Sequence, residues 1–342
     1  LFYLYCSTHC SINQIRVVLY AVIIAGFISG SFFVYDAIMK IGFGVISDFS
    51  KQAVVYEAIR SSNFDDLSSM RATLGYRSYG LLEKHVISSV WIAFAAFASL
   101  CLIHPRKTIL RLFSLLLFGT MLLIALNFTV LVMFAFIILI VEFGFIKLLT
   151  GKISKLGLIN IILLISMIIF LSNIFLNEIM LNFLKINLIG QISLVTTGNA
   201  YGSFIDIIFS SLIGYFNFII EYPFIFLIGD GFSNSGLGGL KGGDVGFIES
   251  MIRLGFPFFL LVSIGFINIF YSTLKEFFYH RKIQYLFINE IFIFSACIIL
   301  FIFLLEIHYS AWNAKSILPI LFMCLGLLRN KKLLQIKYSI IK

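Results

Sequence analysis

The sequence predicts an all-α polytopic membrane protein, a bundle of about eight transmembrane helices in which two long loops face the same side. Composition is the first reason: 61% of the 342 residues are hydrophobic and 12% are charged, with a mean hydropathy of +1.05. A soluble chain of this length cannot bury so much apolar surface, so the bilayer is the expected solvent for most of it. The second reason is that Lys and Arg crowd alternate connections between the apolar segments, which defines an inside and an outside.

Apolar segments without charged residues mark the spans, since a helix needs about 20 such residues to cross a bilayer. In chain order they are Val17–Tyr35, Val86–Ile103, Leu112–Val141, Leu156–Asn177, Leu254–Leu274, Ile291–Leu305 and Ser316–Leu328. All of 1–342 is expected to form one membrane domain. Leu1–Cys6 resembles the end of an earlier span, so we expect an N-terminally truncated fragment of a longer protein.

The segment Leu112–Val141 is too long for one ordinary spanning helix, and Asn127-Phe128-Thr129 near its middle predicts a hairpin. With a hairpin, one side of the membrane collects 15 of the 25 basic residues and only three of the 16 acidic ones, Glu142, Glu276 and Glu290. A single long helix would distribute the basic loops over both sides. The hairpin therefore gives eight spans, with the basic loops and the C-terminus in the cytoplasm.

Two long loops then face outward, 36–85 and 178–253. The second contains another apolar segment, Ile207–Gly229, which Glu221 interrupts. If this segment spanned, the lysine-rich C-terminus would move outside, so we expect a helix in or near the outer interface. A re-entrant hairpin is the alternative that keeps the same orientation.

Several classes of function find little support. The net charge of +9 would suggest nucleic acid in a soluble protein, but here it anchors loops to the cytoplasmic face, so no nucleic-acid partner is expected. Cys6 and Cys10 with His9 match no standard zinc spacing, and no metal or cofactor is predicted. No GxSxG nucleophile elbow occurs. Ionisable residues near span centres are scarce, which disfavours a proton-coupled transporter.

The most specific polar segment is glycine-rich and runs from Gly229 into Asp244. It is not a phosphate-binding P-loop, because Gly242 follows Lys241. From Asp244 onward apolar residues recur at helical spacing, and Glu249 and Arg253 are four apart, so they share a face. One interpretation makes Asp244 or Glu249 a base and Arg253 an anion clamp. The alternative is a helix cap at Asp244 and a surface ion pair of little energetic value.

Two further clusters lie in the predicted outer loops. Arg71 and Arg77, with neighbouring tyrosines, precede a span and suit an anionic lipid headgroup and a sugar, or are plain interfacial anchors. The last outer loop carries His308, Tyr309 and Trp312 after Glu306. Aromatic rings beside a histidine suit carbohydrate binding, and the alternative is that this histidine is structural.

Three segments resemble the Wzy/WaaL-type O-antigen polymerases and ligases of bacterial inner membranes. EYPFIFLIGDGF (221–232) is similar to the family's entry to its large periplasmic loop, where Pro precedes Gly-x-Gly-Phe. DVGFI (244–248) followed by RLG (253–255) is similar to its run into the next span. GYR (75–77) before a span, with the hairpin at 127–129, fits its middle section. The resemblance covers most of the chain from about Arg71 onward.

The resemblance implies glycosyl transfer at the periplasmic face, with an oligosaccharide on undecaprenyl pyrophosphate as donor and neither metal nor cofactor. Arg77 and Arg253 match the positions thought to hold the pyrophosphate, and an acidic or His side chain would take the proton. Ligases typically carry His-Asn where this chain has Asp244-Val245, which favours a polymerase. Relatives often carry an arginine within 198–204; this chain has none, so Lys241 or Arg71 is the expected substitute.

The implied partners are the lipid-linked oligosaccharide, the bilayer, a chain-length regulator and a flippase. Three rival functions remain open: an O-antigen ligase that transfers the chain to lipid A-core, a lipid-linked-oligosaccharide flippase or other transporter, and a non-catalytic scaffold. Asp244 in place of His argues against the ligase. The large outer loop argues against the flippase, which needs a polar path through the bilayer.

Overall fold

The computed structural model describes residues 2–43, 85–104, 107–125, 127–142, 204–229, 246–280, 287–306, 316–330 and 333. Every regular element in these ranges is a helix, which confirms the all-α class for this part of the chain. The helices are α1 (Phe2–Thr8), α2 (Ile12–Phe43), α3 (His85–Leu102), α4 (Thr108–Ile124), α5 (Phe128–Glu142), α6 (Phe204–Glu221), α7 (Pro223–Ile228), α8 (Gly246–Leu254), α9 (Phe256–His280), α10 (Phe287–Leu305) and α11 (Leu318–Leu328).

Two helices have the length and apolar composition to cross a membrane, α2 over Ile12–Met39 and α10 over Phe287–Leu305. Other predicted spans coincide with shorter apolar helices, namely Val86–Leu102, Ile109–Ile124, Thr129–Leu139, Phe256–Ile269 and Leu318–Leu328. The predicted span Leu156–Asn177 lies outside the described residues. By length and composition alone, the two long helices weakly indicate a membrane protein.

The first span is longer than its uncharged core. The charge pattern predicts that this span ends at Tyr35 and that the outer loop begins at Asp36, but α2 continues to Phe43. Asp36 lies inside this helix and is only 1% exposed. The single charge of Asp36 favours the start of a loop at this position. The apolar helix nevertheless continues through Ala37, Ile38 and Met39. The loop predicted to begin at 36 therefore cannot begin before α2 ends.

The long apolar segment 112–141 is divided between two helices, as predicted. α4 ends at Ile124 and α5 begins at Phe128. The side-chain oxygen of Asn127 accepts a hydrogen bond from the Val130 amide at 3.3 Å. This is the N-cap arrangement, in which a short polar side chain satisfies a free amide of the first helical turn. The polar residue near the middle of the segment thus ends one helix and starts the next.

The chain divides into two compact units, one of Leu1–Ile24, Phe94–Arg111 and Phe204–Lys342, the other of Ala25–Ala93 and Leu112–Ser203. In the first unit α1 packs on α11, α10 packs on α9 and α11, and α6 to α9 pack on one another. Its core includes Phe301, which meets Phe94 and Phe97 edge-on at centroid distances of 6.0 and 5.7 Å. In the second unit, the Ser29 hydroxyl donates to the Ser88 carbonyl at 3.1 Å.

Long-range contacts in the first unit join helix ends that are far apart in sequence. The guanidinium carbon of Arg16 lies 4.8 Å from the ring centroid of Phe287. The Asn330 amide donates to the carbonyl of Cys6 at 2.7 Å, which ties the C-terminal end of α11 to α1. Gly326 allows this approach, because a Cβ there would lie 2.6 Å from the Tyr3 carbonyl oxygen.

A third such contact is an ion pair between Arg111 and Glu290, whose nearest charged atoms are 4.0 Å apart. The charge pattern predicts that Arg111 belongs to a basic cytoplasmic loop, but its side chain is 5% exposed. One guanidinium nitrogen also donates to the carbonyls of Leu100 and Ile103, at 2.9 and 2.8 Å. These carbonyls belong to the C-terminal end of α3, where helical acceptors lack partners in the helix. Burial is therefore compensated by a carboxylate and two carbonyl acceptors.

Candidate functional site

Helix α8 carries the two candidate residues that the structure describes, Glu249 and Arg253. Its apolar side chains recur at the predicted helical spacing. Ile248 and Met251 are buried and form a cluster with Tyr215 of α6. The cluster is widened by partly buried Leu212, Ile219, Phe247, Ile252, Phe256 and Phe259. One face of this short helix is therefore attached to α6 and α9, which leaves the other available to carry polar groups.

Glu249 and Arg253 form an ion pair on α8, with side chains 25% and 31% exposed respectively. The i,i+4 spacing predicted that these side chains share a face, and the interpretation of Arg253 as part of a surface ion pair predicted this contact. At this exposure a lone ion pair adds about 0–1 kcal/mol to stability, so stability does not explain it. The guanidinium has five N–H donors, and the contact with Glu249 involves one terminal nitrogen. The last turn of a helix also favours a cation, because helical carbonyls point there.

Two glycines allow the end of α7 to contact the junction of α8 and α9 beside Arg253. Gly229 ends α7 with φ +73°, and Gly255 separates α8 from α9 with φ +75°. A Cβ on Gly229 would lie 2.6 Å from the Gly255 nitrogen, and one on Gly255 would lie 2.6 Å from the Leu227 carbonyl oxygen. Any side chain at either position would meet backbone atoms, and left-handed φ values favour glycine independently.

This close contact of Gly229 with Gly255, the glycine crossing, lies at the start of the glycine-rich segment. Gly229 precedes it and lies against the backbone carbonyl of Arg253, while α8 follows it. The chain therefore leaves the neighbourhood of Arg253 at Gly229 and has returned to the same helix by Gly246. Two of the three segments that carry the family resemblance, 221–232 and 253–255, meet at this point.

A buried hydrogen bond connects α8 with the end of α10. The Ser250 hydroxyl donates to a carboxylate oxygen of Glu306 at 2.8 Å, and both residues are 2% exposed. Glu306 is the first residue of the last predicted outer loop. Sequence reasoning placed Glu306 only as the first residue of a polar cluster and missed this contact, because no local pattern relates residues 56 positions apart.

Helices α6 and α7 correspond to the apolar segment Ile207–Gly229. They are separated at Tyr222, close to the interruption predicted at Glu221, with Pro223 at the start of α7. Proline suits the first turn of a helix because its missing N–H would have no partner there. Exposed apolar side chains line this pair of helices: Ile213, Phe216, Ile220, Tyr222, Phe224, Leu227 and Ile228. The segment is thus divided into two helices, and both expose apolar side chains.

The other seven candidate residues all lie outside the described part of the chain, namely Asp244, His308, Arg77, Arg71, Lys241, Tyr309 and Trp312. Within the described part, no group of three His, Cys, Asp or Glu side chains is arranged to hold a metal ion.

The structure therefore brings together Glu249, Arg253, Ser250 and Glu306, with the glycine crossing beside them. No protein-family model, no curated protein and no solved structure matches the chain.

Proposed function

We propose that this protein is an O-antigen polymerase, a metal-independent glycosyltransferase of the bacterial inner membrane. It would join undecaprenyl-pyrophosphate-linked oligosaccharide repeat units at the periplasmic face. The observation that carries the proposal is the meeting of Gly229 and Gly255 beside Arg253. These residues come from two separate motif segments of the resembled family, and they meet at the backbone beside Arg253.

The proposed multi-pass topology draws support from the long-range contacts. Two residues in contact must lie on the same side of a hydrocarbon core about 30 Å thick, so an even number of crossings must separate them. The eight-span arrangement places four crossings between Arg111 and Glu290. It also places an even number between Arg16 and Phe287 and between Cys6 and Asn330. If 112–141 formed one span and 207–229 lay outside the bilayer, the number of membrane crossings between the residues of each pair would be odd.

The chemistry assigned to the site is a displacement at the anomeric carbon of the donor. A hydroxyl of the acceptor repeat unit forms the new glycosidic C–O bond, and the bond to the lipid pyrophosphate oxygen breaks. Arg253 would bind the departing pyrophosphate, since its planar fork matches phosphate oxygens and keeps its charge. Charge stabilisation of this kind is usually the largest contribution to such reactions.

The ion pair suggests how the proton is handled. A pyrophosphate that binds Arg253 competes with Glu249 for the same guanidinium, and the displaced carboxylate would be available to take the proton from the acceptor hydroxyl. Asp244 and His308 are the other candidate bases. Arg77, Arg71 and Lys241 are the candidate second contacts to the pyrophosphate. Tyr309 and Trp312 would stack against sugar rings.

The exposed apolar side chains of α6 and α7 fit a location in the outer interface. Phe216, Ile220 and Phe224 are exposed, and helices that expose such an apolar face can lie with it among acyl chains. The polyprenyl tail of the substrate would occupy the same layer. Its pyrophosphate would then lie at the depth of the helix ends that carry Gly229 and Arg253.

The experiment that tests the proposal is a gel of surface lipopolysaccharide from a strain with this gene deleted. The same strain complemented by the wild-type gene is the control, and the outcomes below refer to the deletion strain. A polymerase predicts core capped by a single repeat and loss of the ladder. Bare core with long chains accumulating on undecaprenyl pyrophosphate would instead identify a ligase. Bare core with single lipid-linked repeats trapped inside the cell would identify a flippase, and an unchanged ladder would reject all three.

A further inference from the structure

Glu306 is a buried carboxylate that the proposed chemistry does not use. It lies at the end of α10 and accepts the hydrogen bond from Ser250 on α8. A carboxylate removed from water is unfavourable unless donors compensate it, so an apolar residue would be the simpler occupant of this position. Its presence calls for a role that packing alone does not supply.

Helix α8 is held at two places. On one face Ile248 and Met251 pack against Tyr215, and such apolar contacts are non-directional. The bond from Ser250 to Glu306 is directional and lies next in sequence to Glu249. Because successive side chains on a helix are about 100° apart, the rotation of α8 about its axis determines where Glu249 and Arg253 point. The hydrogen bond therefore selects one rotation among those that the apolar cluster allows.

We propose that Glu306 is a positioning residue, which acts through Ser250 to orient Arg253 and Glu249. The proposal rests on the proposed function, because it concerns the same site.

The test uses the full-length protein in vesicles, with lipid-linked repeat units as substrate. Ser250→Ala and Glu306→Ala should each lower kcat by about tenfold with KM changed less than about twofold, since misplacement of a catalytic group affects the chemical step. Ser250→Thr and Glu306→Gln keep a donor and an acceptor and should restore most of kcat. The combined Ser250→Ala and Glu306→Ala variant should be no worse than Glu306→Ala alone, because that variant has already lost the bond from Ser250.

The matched control is Ser295→Ala. Ser295 is also a fully buried serine with a hydroxyl bonded to a carbonyl, that of Ile291 at 2.9 Å, but it lies within α10. It should leave kcat near the wild-type value. An equal loss in Ser295→Ala would show that emptying any buried serine has this effect and would overturn the proposal, as would additive losses at 250 and 306.

A second measurement does not depend on the reaction. Hydrogen exchange of the α8 amides, 246–254, should be faster in Ser250→Ala and Glu306→Ala and unchanged in Ser295→Ala. Unchanged exchange in all three would reject the link itself. If wild-type protein forms no polymer while the exchange result holds, the proposed function fails, and the role in positioning for that reaction fails with it; the link between α8 and α10 then stands alone.

Discussion

The guanidinium of Arg111 and the carboxylate of Glu290 lie 4.0 Å apart, and each side chain is 5% exposed. They belong to segments that the sequence assigns to the same, basic side of the membrane. The contact is compatible with that assignment, because residues on opposite sides of a hydrocarbon core could not meet. Ser250 and Glu306 are related in the same way at the other end of α10. One helix thus connects a buried ion pair at its first turn with the candidate site at its last.

Arg253→Ala should abolish polymer formation while the protein still inserts, because the pyrophosphate loses its cation. Arg253→Lys should also be impaired, since a point charge does not replace the planar fork. The measurement is the length distribution of the lipopolysaccharide ladder, with membrane-inserted protein quantified in parallel. Arg329→Ala, at an exposed arginine that ends α11, is the control and should keep a normal ladder. A full-length ladder from Arg253→Ala would reject Arg253 as an essential residue.

Asp244→Asn should be severely impaired if Asp244 is the base, because the amide keeps the size of the side chain and cannot accept the proton. Glu249→Gln and His308→Gln serve as the comparison set in the same ladder assay. Near-normal chain length in Asp244→Asn, with loss in one of the others, would move the role of the base to that residue.

A reporter enzyme fused after Lys152 should report the cytoplasm, since the hairpin returns the chain to the basic side before this lysine. A fusion after Lys241 should report the periplasm and provides the opposite signal. A periplasmic signal after Lys152 would overturn the hairpin and the orientation built on it.

Arg111→Met should destabilise the protein by about 3–5 kcal/mol, because it removes the cation from a buried carboxylate. It would also remove the donor for the Leu100 and Ile103 carbonyls. Thermal unfolding in detergent should show a clear loss for Arg111→Met and a smaller one for Glu290→Gln. Arg329→Met, at an exposed position, should melt as the wild type does. An unchanged melting temperature in Arg111→Met would contradict the buried pair.

Gly255→Ala should destabilise the crossing beside Arg253, because its Cβ would lie 2.6 Å from the Leu227 carbonyl oxygen and its φ is +75°. Gly265→Ala is the matched control within α9, where a new Cβ meets nothing within 4 Å. An alanine there should be neutral or stabilising by up to about 1 kcal/mol, since glycine is a poor helix former. Equal thermal stability of the two variants would argue against the crossing.

Features that depend on neighbouring residues were accessible from the sequence. Hydropathy predicted an all-helical chain, and Asn127 marked the division of the longest apolar segment. Helical spacing predicted the buried face of α8 and the Glu249–Arg253 pair. Each of these follows from periodicity or from the chemistry of a short stretch, which a chain carries before it folds.

Tertiary structure alone decided which distant segments meet. The crossing of Gly229 with Gly255, the bond from Ser250 to Glu306 and the burial of Arg111 all join parts of the chain whose local patterns do not refer to each other. A charge beside an apolar segment predicts a solvated loop on average, yet Arg111 and Asp36 are buried. The reason is physical: hydropathy reports the preference of a residue for water, whereas the partners that compensate a buried charge exist only after helices have packed.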